Sequence, residues 1–122
     1  MLEINNIQKS FGGIHAVMNC SFSVEQNAIV ALIGPNGAGK TTIFNLISGL
    51  IKPDQGDISF KGNSLIPLKP YHIAQQGIAR TFQLIRLFPK LTILENMLLA
   101  EPHIPEQLLY SLLKRKEIQN NS

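Results

Sequence analysis

The chain has 122 residues, 44% of them apolar and 7% aromatic, a balance that suits one packed domain and argues against disorder. Its net charge of +3 comes from scattered basic residues. The one cluster, Lys114-Arg115-Lys116, sits between Glu106 and Glu117 and reads as a solvated helix face, so no nucleic-acid partner is expected. A single cysteine, Cys20, excludes an internal disulfide framework and favours a reducing compartment. Met1-Leu2-Glu3-Ile4-Asn5 does not open a signal peptide, and no apolar run approaches the roughly 20 residues that cross a bilayer. The expectation is a soluble cytoplasmic chain, with docking on a membrane protein left open.

Leu2 to Ser10 reads as a strand of mixed alternation, turned by Phe11-Gly12-Gly13. Val17, Cys20, Phe22 and Val24 mark a second, irregular strand, and Gln26-Asn27 a turn. Ala28 to Ile33 is a continuous apolar run with three β-branched residues, which predicts a short strand buried on both faces. Thr41 to Leu50 carries Ile43, Phe44, Leu46, Ile47 and Leu50 at helical spacing, with Gly49 and Pro53 as stop signals. Asp54 to Gly56 forms a turn, and 57–60 a strand that pairs in a hairpin across Lys61-Gly62-Asn63-Ser64. Pro70 to Gln76 predicts a short helix stopped by Gly77, and Ile78 to Phe82 a strand. Thr92-Ile93-Leu94-Glu95 is a capping box that starts a helix. Pro105 opens a last one through Leu108, Leu109, Leu112 and Leu113. The order predicts an α/β fold with an antiparallel addition.

Gly34-Pro35-Asn36-Gly37-Ala38-Gly39-Lys40-Thr41 fits G-x-x-x-x-G-K-[ST] without a mismatch. Glycines at 34, 37 and 39 let the backbone curl so that successive N–H groups point inward, with no Cβ to block a phosphate. The helix that follows adds the positive end of its dipole. Lys40 supplies a charge that can reach the β- and γ-phosphates. The Thr41 hydroxyl is placed to ligate Mg²⁺, and Thr42 to reach an α-phosphate oxygen. The plain alternative is a glycine-rich turn that matches by chance, but motif, preceding apolar run and following helix agree on Mg-nucleotide binding. The loop alone does not say which P-loop protein this is.

The wider stretch from "LEINNIQKSFGG" to "DQGDISFKGNSL" resembles the start of an ABC transporter nucleotide-binding domain, a P-loop NTPase core with an antiparallel β subdomain. "GIARTFQLIRLFPKLTILENMLLA", 77–100, looks like the ATP-binding subunits of branched-chain amino acid importers. The resemblance covers 1–100 almost without a gap, and 101–122 match loosely, as the start of a helical subdomain. It implies that Phe11 stacks on adenine; the residue pattern alone would make Phe11 an ordinary core aromatic after a strand. Val17 would flank the base, or be a plain core valine. Gln83 matches the Q-loop glutamine, whose oxygen reaches Mg²⁺ and the attacking water in the family. Arg86, Leu87, Phe88 and Pro89 lie where the family docks a coupling helix of the transmembrane permease. Further implied partners are a second ATP-binding subunit, head to tail, and a periplasmic or extracellular solute-binding protein, with the chain peripheral on the inner face of the membrane. His15, His72, His103 and Asp57 are assigned no chemistry.

Several family parts have no counterpart: there is no Ser-Gly-Gly signature, no Asp-Glu pair ending an apolar strand, and no histidine beyond His103. Phosphoryl transfer needs such groups to act together. The expectation is therefore an incomplete cassette that alone binds nucleotide at most, with Ala28 to Ile33 short of parallel neighbours and the chain poorly stable. The alternatives are a non-catalytic Mg-ATP-binding product, an importer part for another solute such as urea or amides, and an unrelated P-loop enzyme.

Overall fold

The computed structural model describes residues 1–81 and 88–99. The chain divides into two compact units, Met1–Arg80 and Thr81–Ser122. In the first, β1 (Leu2–Phe11) and β2 (Ile14–Val24) form a hairpin across Gly12-Gly13, with Phe11 paired to Ile14. On the other side of β1 lies β3 (Gln55–Phe60), which β4 (Asn63–Ser64) joins through a tight turn. The sheet order is β2-β1-β3-β4, and every pairing is antiparallel.

The mixed alternation of the first two strands has a structural cause. Register shifts between β1 and β2 fall at Ile4/Ile7, Ile7/Lys9 and Lys9/Ser10. Asn6 and Asn19 adopt left-handed backbone (φ 48° and 46°), which asparagine tolerates better than most residues. The Asn6 N–H donates to Ser21 Oγ (2.8 Å), and that hydroxyl donates back to Asn6 Oδ1 (3.1 Å). Backbone lost from the ladder is thereby satisfied by a side chain across the strand pair.

One cluster of buried residues fixes the unit: Ile4, Ile7, Val17 and Ile58 from the sheet, with Ile43, Leu46, Leu65 and Ile73 packed with them. Ile43 and Leu46 lie three apart on α1 (Lys40–Ile47), so they share one face. Ser48 to Leu50 are a turn rather than helix, with the Ser48 hydroxyl donating to Phe44 O (2.7 Å). Ile73 belongs to α2 (Pro70–Gln75), which opens on proline and stops before Gly77. Lys52 Nζ donates to the carbonyls of Ile66 and Leu68 and so ties the segment after α1 to the one before α2. The Arg80 guanidinium bonds Asn45 Oδ1 (2.6 Å) and Ser48 Oγ (3.2 Å).

Two expected strands do not form among the described residues. Ala28 to Ile33 pairs with no strand among the described residues, and Ile29 and Ile33 are almost fully exposed at 103% and 91%. An apolar run becomes a strand only when neighbours take up its N–H and C=O groups, and this sheet of antiparallel pairs offers it none. Residues 78–81 likewise form no strand, and Phe82 lies outside the described residues.

In the second unit, α3 (Ile93–Leu98) is opened by the expected capping box. The Glu95 N–H donates to Thr92 Oγ1 (3.2 Å), and the Thr92 N–H to Glu95 Oε2 (2.7 Å). Asn96 joins the preceding turn to the helix: its Oδ1 accepts from the Phe88 N–H (3.0 Å), and its Nδ2 donates to the carbonyls of Phe88, Leu91 and Thr92. The helix expected from Pro105 lies outside the described residues.

Candidate nucleotide-binding site

The segment Gly34 to Thr42 runs from the exposed apolar stretch into α1. A turn closes where the Ala38 N–H donates to Pro35 O (3.1 Å). Gly37 and Gly39 both take left-handed backbone, at φ 85° and 91°. Gly39 also serves packing: a Cβ there would stand 2.3 Å from the Ala16 carbonyl oxygen. The loop therefore rests directly on β2, and only glycine fits the contact. One residue later α1 begins, and the Ile43 N–H bonds Gly39 O (2.9 Å) in its first turn.

A concavity of about 360 Å³ lies over this helix start, lined by Ala16, Asn36, Gly37, Gly39, Lys40, Thr41 and Thr42. No acidic side chain stands in the first turn, and Gly39 at the N-cap brings no side-chain oxygen to the orphan N–H groups. Amide donors, two hydroxyls, the positive end of a helix and an ammonium converge there. That donor set fits an anionic oxygen ligand and repels a cation without one.

Lys40 Nζ donates to Pro35 O (2.7 Å) and to Gly34 O. The ammonium thus bridges the two residues that open the loop, holding it curled over the helix start. Gly34, Pro35 and Ala38 shape the loop without lining the concavity. Thr41 and Thr42 line it, as the motif predicts. Ala16 is a lining residue that sequence reasoning missed; its contribution is a small side chain and a backbone carbonyl, which carry no pattern.

Phe11 ends β1, on the same hairpin as Ala16, and is 47% exposed, so the core-facing alternative is excluded. It is not among the residues that line the concavity. Val17 is a core residue, 7% exposed, and touches the position a Gly39 Cβ would occupy. Gln83, Arg86 and Leu87 lie outside the described residues, while Phe88 is exposed. No group of three or more His, Cys, Asp or Glu that could hold a metal occurs among the described residues.

Compared with known proteins, the sequence matches the ABC transporter family over residues 17–122. The chain belongs to that family. It is 46% identical over 101 residues to the high-affinity branched-chain amino acid transport ATP-binding protein LivG of Salmonella typhimurium, covering 83% of this chain and 40% of LivG. It is 41% identical over 115 residues to BraF of Pseudomonas aeruginosa, described in the same words, covering 93% of this chain and 45% of BraF. Among solved structures it resembles a nucleotide-free ATP-binding cassette from an ABC transporter (TM-score 0.74, 35% identity, 91% of this chain and 45% of that one). A cassette in its ADP conformation gives a TM-score of 0.74 at 34% identity over the same shares. The fold is thus a partial ABC-type α/β fold with its antiparallel sheet, as the sequence implied. The chain spans less than half the length of the curated relatives it matches.

Proposed function

We propose that this chain binds Mg-ATP through the Gly34–Thr42 loop, as the ATP-binding part of an ABC importer for branched-chain amino acids. The concavity over the N-terminus of α1 carries the reading, because the start of the helix, two hydroxyls and the Lys40 side chain line it and no acidic side chain does. Lys40, which donates to the Gly34 and Pro35 carbonyls, would take β- and γ-phosphate oxygens as acceptors in their place. First-turn N–H groups and Thr42 would hold the remaining oxygens, and the Thr41 hydroxyl would hold Mg²⁺; the family resemblance assigns Gln83, outside the described residues, to the same ion. Bound Mg²⁺ supplies charge neutralisation on the terminal phosphates. Phe11 offers an exposed face for the base. Branched-chain amino acids as the transported solute follow from the LivG and BraF names.

Hydrolysis is assigned to a complete cassette. The 122 residues hold no signature, no Asp-Glu pair and no histidine after His103, so this chain binds nucleotide without substantial turnover. Its partners are the transmembrane permease, met around Arg86 to Pro89, a second ATP-binding subunit, and a solute-binding protein of the same system. No described helix is long and apolar enough to cross a membrane.

The test is titration with a fluorescent ATP analogue in Mg²⁺. A lysine-to-phosphate bond contributes about 1.5–3 kcal/mol, so Lys40→Ala should weaken binding by roughly 10- to 100-fold. Equal affinity in both proteins would remove the loop from the account, and rapid ATP turnover by the purified chain would overturn the binding-only assignment.

A further inference from the structure

Lys9 is held in an unusual way for a strand lysine. Its ammonium lies 5.3 Å from the centroid of the Phe11 ring, over one face, and 2.9 Å from Asp54 Oδ1. The other carboxylate oxygen of Asp54 accepts from the Ser10 N–H at 2.7 Å, and the Asp54 N–H donates to Gln8 O at 2.9 Å. Asp54 is thereby clamped along Gln8–Ser10, and its carboxylate points the Lys9 chain at the ring two residues on. Lys61 also sits over a ring, that of Phe60 at 5.1 Å, but Lys9–Asp54 is the one ion pair among the described residues. A partly exposed ion pair adds little to stability, which leaves a task for the arrangement at the end of β1.

That end adjoins the phosphate concavity. Ser10 pairs with His15, and the next residue, Ala16, lines the concavity and carries Gly39. The half-exposed Phe11 is therefore the aromatic surface that the same hairpin offers beside the loop, with an ammonium over one face.

We infer that Lys9, fixed by Asp54, is a positioning residue for the base platform: it backs the Phe11 ring on one face so that the nucleobase stacks on the other. The inference rests on the proposed nucleotide binding and extends it to residues outside the loop. An ammonium on one face fixes the plane of the ring and draws its π density away from the opposite face. Stacking of an electron-rich purine on that face is then favoured, at a smaller loss of ring freedom on binding. The phosphates, gripped by the loop, are untouched by this effect.

The experiment compares ATP with tripolyphosphate, which lacks base and sugar, by calorimetric titration of the full chain in Mg²⁺. Wild type, Lys9→Met and Lys9→Arg are measured. Lys9→Met is expected to bind ATP about two- to fivefold more weakly, to bind tripolyphosphate as wild type does, and to be rescued by Lys9→Arg. Unchanged ATP affinity in Lys9→Met overturns the inference. So does an equal loss for both ligands, which would mark Lys9 as structural. Wild-type ATP affinity no better than that of tripolyphosphate would remove the base platform while leaving the loop. Binding of neither ligand by wild type would defeat the proposed function itself, a different result from the other three.

Discussion

Gly39→Ala separates the two demands that meet at the foot of the loop. The residue sits at φ 91°, where an L side chain costs about 1–2 kcal/mol. Its added Cβ would also lie 2.3 Å from Ala16 O, well inside ordinary contact. That neighbour is a backbone carbonyl near the start of β2, at the register shift where Ala16 itself has no partner on β1, so relief requires β2 or the start of α1 to move. Overpacking of this kind costs about 1–3 kcal/mol, and the two effects together come to about 2–5 kcal/mol. Gly37→Ala is the internal control. Its φ is 85°, but nothing lies within 4 Å of the added carbon, so it should lose only the conformational part, about 1–2 kcal/mol. A folded unit of this size holds roughly 4–12 kcal/mol in all, so Gly39→Ala should bring the chain close to unfolding in buffer. Urea denaturation without nucleotide is the assay, since neither cost depends on a ligand. If the two variants lose equal stability, the contact between Gly39 and Ala16 is not a support of the loop, and the account of how β2 carries it fails.

Replacing the exposed apolar side chains of the unpaired segment, as in Ile29→Lys with Ile33→Lys, should leave the urea midpoint within about 0.5 kcal/mol of wild type while reducing self-association in light scattering. A large loss of stability would mean that these side chains are buried after all. Asp54 makes the acid limb of the stability curve testable. Its carboxyl is held below the ordinary value of 3.8, first by the hydrogen bond from Lys9 and then by the Ser10 N–H. With the folded pKa depressed, the stabilisation is fully present above that ordinary value and is lost as pH falls through the lower folded one. Asp54→Asn should therefore flatten the pH dependence of the urea midpoint in the acid range, and an unchanged slope would refute the assignment.

What could be read ahead of the structure was set by how far apart the deciding residues lie. The loop is legible because its requirements are local: left-handed glycines, a lysine and a hydroxyl at fixed spacing from the start of α1. The Thr92-Glu95 capping box is legible for the same reason, both partners lying within one helical turn. The Ala28–Ile33 expectation failed because β-branched apolar residues state a preference, and pairing partners decide whether it is realised. Register shifts in β1 blurred its alternation without showing where the bulges fall. Lys9 and Asp54, 45 positions apart, carry no joint signal in a single sequence. Ala16 acts through a carbonyl oxygen that every residue type possesses.

Support for the loop is therefore one-sided. Behind it, Gly39 rests on Ala16, and α1 sends Ile43 and Leu46 into the core with Ile4, Ile7 and Ile58. Ahead of it, the backbone hydrogen bond that holds 28–33 among the described residues is the Ala28 N–H bond to Glu25 O (3.3 Å). The residues proposed to hold phosphate, Gly37 to Thr42, all lie on the supported side. Gly34 and Pro35 lie on the other, and Lys40 bridges the two by donating to both carbonyls. In the nucleotide-binding reading proposed above, an ammonium turned to a phosphate would give up the same contacts that tie the leading edge of the loop to the helix, and the ligand would have to replace them. Ligand binding and the placement of Gly34-Pro35 would then be one equilibrium, and nucleotide would stabilise the fold in step with its affinity for the folded loop.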